Sequence, residues 1–193
     1  MTFTQIREST FEELQANAGV ALRTFDPASF TGELDIENIL FATSGGFSFS
    51  DTPEYRDAGA NIDNAPKNTK ELKKFVRREV KLSGSRVTFT PETIKNDMAA
   101  ADISTVSGSN NVTKITPRDE LKDEDFQDLW IVGDYGNGGY LAVHLMNALS
   151  TGGFSWKTND QDNGTSDIEY TAHYSIENQK QAPYEVYIMT PAA

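Results

Sequence analysis

The chain has 193 residues, no cysteine, and a formal net charge of −12 from 17 Lys and Arg against 29 Asp and Glu. This length predicts one domain with one core, and the charge argues against a protein that grips phosphate backbones or anionic lipid. Without cysteine, a disulfide framework and a thiolate metal site are excluded. The first twenty residues carry Glu8, Glu12 and Glu13 where a signal peptide is apolar, so we expect folding in the cytoplasm and no membrane partner.

The first quarter of the chain predicts an arm and then a strand. Residues 1–33 are assigned to an N-terminal arm with one short helix, capped by Ser9 or Thr10. Residues 35–50, "DIENILFATSGGFSFS", predict a strand with a buried start and a break or bulge at its two glycines. The stretch "ALSTGGFSWKT" at 148–158 repeats this wording, which indicates either matching strands or coincidence.

The middle of the chain predicts a long loop, a strand and a helix. Residues 51–73 hold two prolines, three asparagines and no apolar periodicity, which indicates a long extended loop or an irregular hairpin. "KKFVRREVKLSGSRVTFTP" then alternates apolar and polar positions, which favours a long strand. Residues 90–102 predict a helix capped by Thr90, with Pro91 at its first position. A polar link (104–114) and an acidic loop (117–128) follow.

Residues 128–189 predict a C-terminal β-meander. "LWIVGDYGNGGYLAVHLM" indicates two strands around a Gly/Asn turn, and "GGFSWKTNDQDNGTSDIEYTAHYSI" two more around Asn163-Gly164, a dipeptide suited to tight hairpins. "APYEVYIM" indicates the last strand. With about seven strands and one helix, the predicted fold class is mainly β: a β-sandwich or open barrel flanked by one α-helix, with a long extended loop.

The sequence offers no catalytic, metal or cofactor-binding residue. His144 and His173 lie in predicted strands without a second histidine or cysteine at ligand spacing, so we expect them at the surface or an interface. "NDQDNG" at 159–164 begins like a calcium loop, but Tyr170 occupies the position of the bidentate glutamate, and a hairpin turn is expected instead. The glycines of "GDYGNGGY" match no nucleotide-binding spacing, and no carboxylate pair can be singled out as acid and base.

Basic residues are concentrated in one window. From Lys67 to Arg86 there are eight bases and two acids, a net charge of +6, whereas the rest of the chain has nine bases and 27 acids, a net charge of −18. A solvated face is the ordinary meaning of such a run, and a nucleic-acid site would lack aromatic residues beyond Phe75. Opposite charges on one chain favour head-to-tail association of identical copies, which closes into rings or continues as filaments.

Seven unusual phrases occur in order along the chain: "LQANAGV", "FDP", "NIDNAPKNTKELKK", "KITPRDEL", "VGDYGNGGY", "NALSTGGFSWKT" and "YTAHYSIENQKQAPYEVYI". Together, from about Leu14 to Ile188, they resemble the major tail protein, the tail tube subunit, of long-tailed bacteriophages of Gram-positive bacteria. The resemblance implies a β-sandwich flanked by a helix. It also implies that six copies form a ring, that their inner strands close into a β-barrel, and that the rings stack into the tail tube.

The same resemblance implies contacts and partners. Residues 51–73 would reach a neighbouring subunit or the next ring, and the N-terminal arm would do likewise. The implied partners are further copies of the chain and the tape measure, tail tip and tail terminator proteins, with duplex DNA passing through an acidic lumen without specific binding. The implied location is the virion tail, and the host cytoplasm during assembly. The implied subunit-contact residues are Tyr55, Asn61, Asp63, Asn64, Pro66, Lys67, Thr69 and Lys70.

Two other classes of function stay open at this point. A monomeric carbohydrate-binding β-sandwich would expose Trp130, Tyr135, Tyr140 and Trp156 as stacking platforms. An enzyme would need a cleft with perturbed acids, for which the sequence offers no candidate. We expect a structural protein without enzymatic activity.

Overall fold

The computed structural model describes residues 19–108, 111–136 and 138–190. The helix predicted from Ser9 or Thr10 lies outside these residues. Within them there are ten strands and one α-helix, so the prediction of a mainly β fold flanked by one helix is confirmed. The elements are β1 (Val20–Leu22), β2 (Ile39–Phe41), β3 (Thr43–Asp57), β4 (Lys73–Arg86), α1 (Pro91–Asp97), β5 (Ala101–Val106), β6 (Val112–Pro117), β7 (Gln127–Tyr135), β8 (Gly139–Ser150), β9 (Ser166–Thr171) and β10 (Tyr184–Met189).

Two antiparallel sheets share strand β8. Sheet 1 has the order β2-β1-β7-β8-β10, and sheet 2 has the order β8-β9-β4-β3. Strand β8 pairs with β10 over residues 140–145 and with β9 only at Leu149 and Ser150. Between these parts its register with β7 shifts and Asn147 adopts a φ of +48°. An extra residue of this kind bends a strand, which allows β8 to leave one sheet and enter the other.

The main core lies between the two sheets. Leu129 of β7 and Leu145 of β8 point into it from sheet 1, and Val80 and Leu82 of β4 meet them from sheet 2. All four side chains are buried. On β4 they alternate with partly exposed polar residues, so the period-two pattern of the sequence reports one buried face of a strand.

A second core lies on the opposite face of sheet 1. Trp130 of β7 and Ala142 of β8 belong to it, and Phe25 and Leu34 cover it from the segment between β1 and β2. The rings of Trp130 and Phe25 have centroids 5.5 Å apart. Because much of sheet 1 is covered on both faces, its central strands are nearly continuous apolar runs.

The strands extend further than the sequence pattern predicts. Residues 51–57, for which the sequence predicts a long loop or an irregular hairpin, continue β3 and pair with β4 as far as Asp57. This agrees with the hairpin alternative and limits the connection to residues 58–72. Backbone pairing with β4 keeps these residues in a strand. Because their side chains are not buried on one face, the sequence shows no apolar periodicity there. The polar link predicted at 104–114 is also wrong, since β5 and β6 form a hairpin over these residues. Here too the strands are defined by backbone pairing and their side chains show no apolar periodicity.

Other boundaries differ because of tertiary pairing. Strand β1 lies within the N-terminal segment assigned to residues 1–33, and it pairs with β2 on one side and β7 on the other. Thr90 caps α1, but the helix ends at Asp97, because Ala99 adopts a φ of +60° and β5 begins two residues later. The C-terminal strands depart from a simple meander, since β10 returns to pair with β8.

The two Gly-Gly stretches have different structures. Gly45 and Gly46 adopt φ values of +81° and +80° at a register shift in β3, which agrees with the predicted bulge. The second stretch follows the end of β8, where residues 152–158 form a single bridge, Lys157 to Thr165, and no strand. A strand over "GGFSW" was therefore a wrong prediction, because the positive φ of Gly153 turns the chain away from the sheet.

Candidate functional site

The distal half of the β3–β4 ribbon projects beyond its sheet. Strand β4 pairs with β9 only over residues 81–86, so residues 73–79 pair with β3 alone. We call residues 51–79 the arm. Most of its side chains are exposed. Because an isolated two-stranded ribbon is marginally stable in water, the stability of the arm depends on contacts at its base and on contacts with other surfaces.

A polar cluster fixes the base of the arm to β10. The Tyr184 hydroxyl donates to Asp51 Oδ2 at 2.8 Å and accepts from Arg78 Nη1 at 3.3 Å, while the same Arg78 nitrogen lies 3.1 Å from Asp51 Oδ2. The hydrogen bond to Asp51 raises the pKa of Tyr184, as its partial burial also does. Arg78 stands where the alternation of β4 would place an apolar residue, because its guanidinium contacts Tyr184 and Asp51 at the base of the arm.

The apolar side chains of the arm are left in solvent. Tyr55 of β3 and Phe75 of β4 form an edge-to-face pair with ring centroids 6.0 Å apart, yet each is 51% exposed. Val76 and Ile62 are about as exposed as this pair. Neighbouring exposed apolar groups are typical of a surface that another molecule covers.

The connection at the end of the arm is built around Asp57. Its carboxylate accepts hydrogen bonds from the backbone N–H groups of Asn68 at 3.0 Å and Gly59 at 2.8 Å. These two bonds lower the pKa of Asp57. Asn64 and Asn68 adopt φ values of +61° and +60°, a conformation that asparagine tolerates better than most residues. The asparagines of this segment therefore form specific turns.

The structure locates every contact residue that the resemblance implies. Tyr55 lies on β3, and its exposure suits a contact. The other seven lie in the 58–72 connection, namely Asn61, Asp63, Asn64, Pro66, Lys67, Thr69 and Lys70. Their contact with a neighbour stays a prediction. Sequence reasoning missed Phe75 and Val76, which read as ordinary strand residues until their position beyond β9 is known.

The basic window does not form one surface. Arg86 is fully buried, with Nη2 2.5 Å from Asp97 Oδ2, so it belongs to the core. Arg77, Arg78 and Lys81 each lie within ion-pair distance of an acid. Among the described residues, the members of the window without an ion pair within 4 Å are Lys67, Lys70, Lys73 and Lys74. The uncompensated positive charge is therefore concentrated on the arm.

The aromatic residues considered for carbohydrate binding do not share a surface. Trp130 is buried and stacks on His144 at 4.0 Å, and Tyr140 packs against the same second core. Trp156 is 69% exposed and lies in the loop after β8. A flat sugar platform would need these rings side by side.

Both histidines are hydrogen-bonded and partly buried. His144 Nε2 lies 3.1 Å from Asp128 Oδ2, and His173 Nδ1 lies 3.2 Å from the backbone oxygen of Asn147. Over the described ranges, no group of three His, Cys, Asp or Glu side chains could hold a metal ion. Nor does this part of the chain contain a helix long and apolar enough to span a membrane.

Comparison with solved structures gave seven matching chains, and two of these likenesses, both of low identity, are described here. One is with a chain of the virion of a native gene transfer agent particle, and the other with a chain of the tail of an empty gene transfer agent particle, refined with helical and C6 symmetry. Each is 10% identical, covers 82% of this chain and 92% of the other, and has a TM-score of 0.43. No protein-family model matches the chain, and no curated protein matches it significantly.

Proposed function

We propose that this chain is a structural subunit of a phage-like tail, which assembles through its arm into hexameric rings that stack into a tube. The observation that carries the proposal is a projecting arm with exposed aromatic side chains and unpaired lysines on an acidic protein. Residues 51–79 contain seven bases and six acids, a net charge of +1, which leaves −13 on the rest of the chain. Contact between the arm and the acidic part of another copy is therefore electrostatically favourable.

The geometry of the arm favours a head-to-tail contact. The arm extends beyond the end of β9, so its exposed rings and lysines are available to meet a different surface on the next copy. A contact between two different surfaces generates a ring or a filament, according to the rotation between copies. Sixfold closure is the form that the sequence resemblance implies.

Unpaired strand edges provide a second means of joining copies. Among the described strands, β10 pairs only with β8 and β3 only with β4, so each has a free edge. Edge strands add further strands readily through their backbone groups. Pairing between edges of neighbouring copies would close the inner strands of a ring into a continuous barrel.

The assembled tube would act as a conduit for DNA ejection. Duplex DNA carries about one negative charge per 1.7 Å, so a net acidic lumen would repel it and let it slide without specific binding. The tape measure, tail tip and tail terminator proteins are the proposed partners, the virion tail the location, and the host cytoplasm the place of assembly. The proposal includes no enzymatic activity.

The first experiment is electron microscopy and light scattering of the full chain over a range of concentration and salt. We expect rings or tubes with a channel wider than 20 Å or so, the diameter of duplex DNA. The double variant Tyr55→Ser/Phe75→Ser should stay monomeric with an unchanged unfolding midpoint. The matched control, Ile36→Ser, changes an exposed side chain outside the arm and should assemble like the parent.

Two outcomes would overturn parts of this proposal. A parent chain that stays monomeric, and also fails to polymerise on added tail-tip complex, would overturn the tail-tube function. An arm variant that assembles as well as the parent would overturn the role of the arm, while leaving tube formation in place.

A further inference from the structure

Strand β4 has an uncovered edge along the arm. On the side of β9, the backbone ladder continues to a hydrogen bond from the N–H of Ala172 to the carbonyl oxygen of Val80, at 3.0 Å. The next residue, His173, donates instead to the Met146 carbonyl oxygen of β8 at 3.2 Å, so the chain leaves sheet 2 and crosses to sheet 1. Among the described strands, none pairs with residues 73–79 on this side. The backbone groups of such an edge readily accept a further strand.

A groove of about 640 Å³ borders this edge, where the connection between β9 and β10 diverges from β4. Residues 75–78 of β4 line one side, and Tyr174 and Lys180 of the connection line the other. The apolar part of the lining is open to solvent, since Phe75, Val76 and Tyr174 are each at least 40% exposed. The charged part consists of bases alone, two arginines of β4 and Lys180. The groove is therefore suited to an extended segment that is apolar on one face and acidic overall.

Strand β10 of another copy has these properties. Val186 is 50% and Ile188 59% exposed, and the two side chains lie on one face of β10 because side chains alternate along a strand. One edge of β10 is free, since among the described strands it pairs with β8 alone. Its six residues include one acid, Glu185, and no base, whereas residues 73–79 include four bases and one acid. The two segments are therefore similar in length and complementary in charge.

The other edge strands of the described structure fit the groove less well. Strand β2 has three residues, and β3 carries Pro53, a residue that protects strand edges against further pairing. In β5 the exposed Ile103 and Val106 are three positions apart, so they lie on opposite faces. Strand β6 has one exposed large apolar side chain, Val112. Of the described edge strands, β10 is thus the one that exposes two large apolar side chains on a single face.

We propose that β10 of one copy lies in this groove of the next copy and pairs with residues 73–79 of β4. The inference rests on the proposed function, because it names the surface of a neighbouring copy that the arm contacts. In this arrangement Val186 and Ile188 cover the exposed apolar side chains of the groove, and Glu185 lies among the bases of the arm. The strand that is donated and the edge that accepts it are different surfaces, so each copy can do both, as a ring or a filament requires.

Disulfide formation between two differently tagged full chains tests the pairing directly. Because the chain has no cysteine, Val76→Cys in one copy and Val186→Cys in the other introduce one thiol each. On mild oxidation of the mixture, the mixed disulfide should form at least tenfold faster than in the control mixture of Thr113→Cys and Val186→Cys, because pairing raises the effective concentration of the two thiols. Thr113 is exposed on β6, outside the groove. Equal rates in the two mixtures would overturn the proposal.

Exchange of charges across the contact gives a second measurement. Val76→Glu and Val186→Lys each place a charge on an exposed apolar group, so each should lower the assembled fraction at least tenfold and leave the unfolding midpoint in urea unchanged. The double variant Val76→Glu/Val186→Lys should recover most of the assembly, because opposite charges then face each other between copies. The control Ile103→Lys changes an exposed side chain of β5 and should assemble like the parent. A double variant that assembles no better than the single variants would overturn direct pairing.

The two measurements separate this inference from the proposed function. Tubes that form equally well from the parent and from Val76→Glu would overturn the pairing and leave the tail-tube function in place. A mixed disulfide that forms at the expected rate, in a chain that assembles into neither rings nor tubes, would support the pairing and count against the tail-tube function.

Discussion

The hydroxyl of Tyr184 donates a hydrogen bond to the carboxylate of Asp51 at 2.8 Å, across 133 residues of sequence. Tyr184 is the first residue of β10, at the edge of sheet 1, and Asp51 lies where β3 leaves the core and enters the arm. The bond therefore joins the two sheets at the base of the arm. The other carboxylate oxygen of Asp51 is buried without a hydrogen-bond partner among the described residues, so this carboxylate depends on Tyr184 and Arg78.

Replacing Tyr184 by phenylalanine should weaken the protein at this point. The variant keeps the ring but removes the bonds to Asp51 and Arg78, and a lost bond to a partly buried charged group costs about 1–2 kcal/mol of unfolding free energy. Urea denaturation would measure the loss. Tyr187→Phe is the matched control, because Tyr187 lies three residues after Tyr184 on the same strand and, among the described residues, its hydroxyl bonds only Glu185, two residues before it. The loss of this bond should cost less, since it does not join the two sheets. Equal losses in both variants would contradict the special role of Tyr184.

Local features of the fold could be predicted from the sequence. The alternation of Val80 and Leu82 with polar residues predicted a long strand, because such alternation arises within a single strand that buries one face. The start of α1 was equally local, since Thr90 and Pro91 act on neighbouring backbone groups. The return of β10 to β8 was not predictable in this way, because it depends on how whole sheets pack.

The exposed residues of the candidate site also depend on how the sheets pack. The resemblance to a family implied Tyr55 and the loop residues of the arm as contact residues, but it did not include Phe75 and Val76. In the sequence these two look like strand residues of a core, as Val80 does. Their exposure follows from the length of β9, which ends opposite Lys81, and no local pattern in β4 carries that information.

A buried ion pair between Arg86 and Asp97 should make the core sensitive to single substitutions. Asp97 also accepts a hydrogen bond from the Tyr170 hydroxyl at 2.8 Å. Burial raises the pKa of Asp97, although Arg86 and Tyr170 lower it. Removing one partner leaves a buried charge uncompensated, so Asp97→Asn or Arg86→Met should each lose about 3–5 kcal/mol of unfolding free energy.

The double variant Arg86→Met/Asp97→Asn distinguishes an uncompensated charge from lost packing. Because it buries no charge, it should be more stable than at least one of the single variants when all are unfolded in urea. Losses that simply add would indicate that the two residues act independently, against the pairing described above.

Gly139, the first residue of β8, should tolerate no side chain. A Cβ atom there would lie 2.6 Å from the Met189 carbonyl oxygen of β10 and 3.2 Å from that of Tyr135. Both obstacles are backbone atoms, so Gly139→Ala should push β10 away and cost about 1–3 kcal/mol of unfolding free energy. The control is Gly108→Ala, where a Cβ atom meets nothing within 4 Å. Unfolding midpoints in urea would compare them, and a stable Gly139→Ala would show that β10 is not held as described.

The connection at the end of the arm should respond to acid through Asp57. Hydrogen bonds from the backbone of Asn68 and Gly59 lower the pKa of this carboxyl below its usual value of 3.8. For an acid whose pKa is lowered by folding, the stabilisation is present above the unfolded pKa and is lost as pH falls through the folded pKa. The amide proton shifts of Gly59 and Asn68 should therefore titrate with a midpoint below 3.8 in NMR spectra. Asp57→Asn should abolish this titration, and a midpoint above 3.8 in the parent chain would contradict the hydrogen bonds on which the expectation depends.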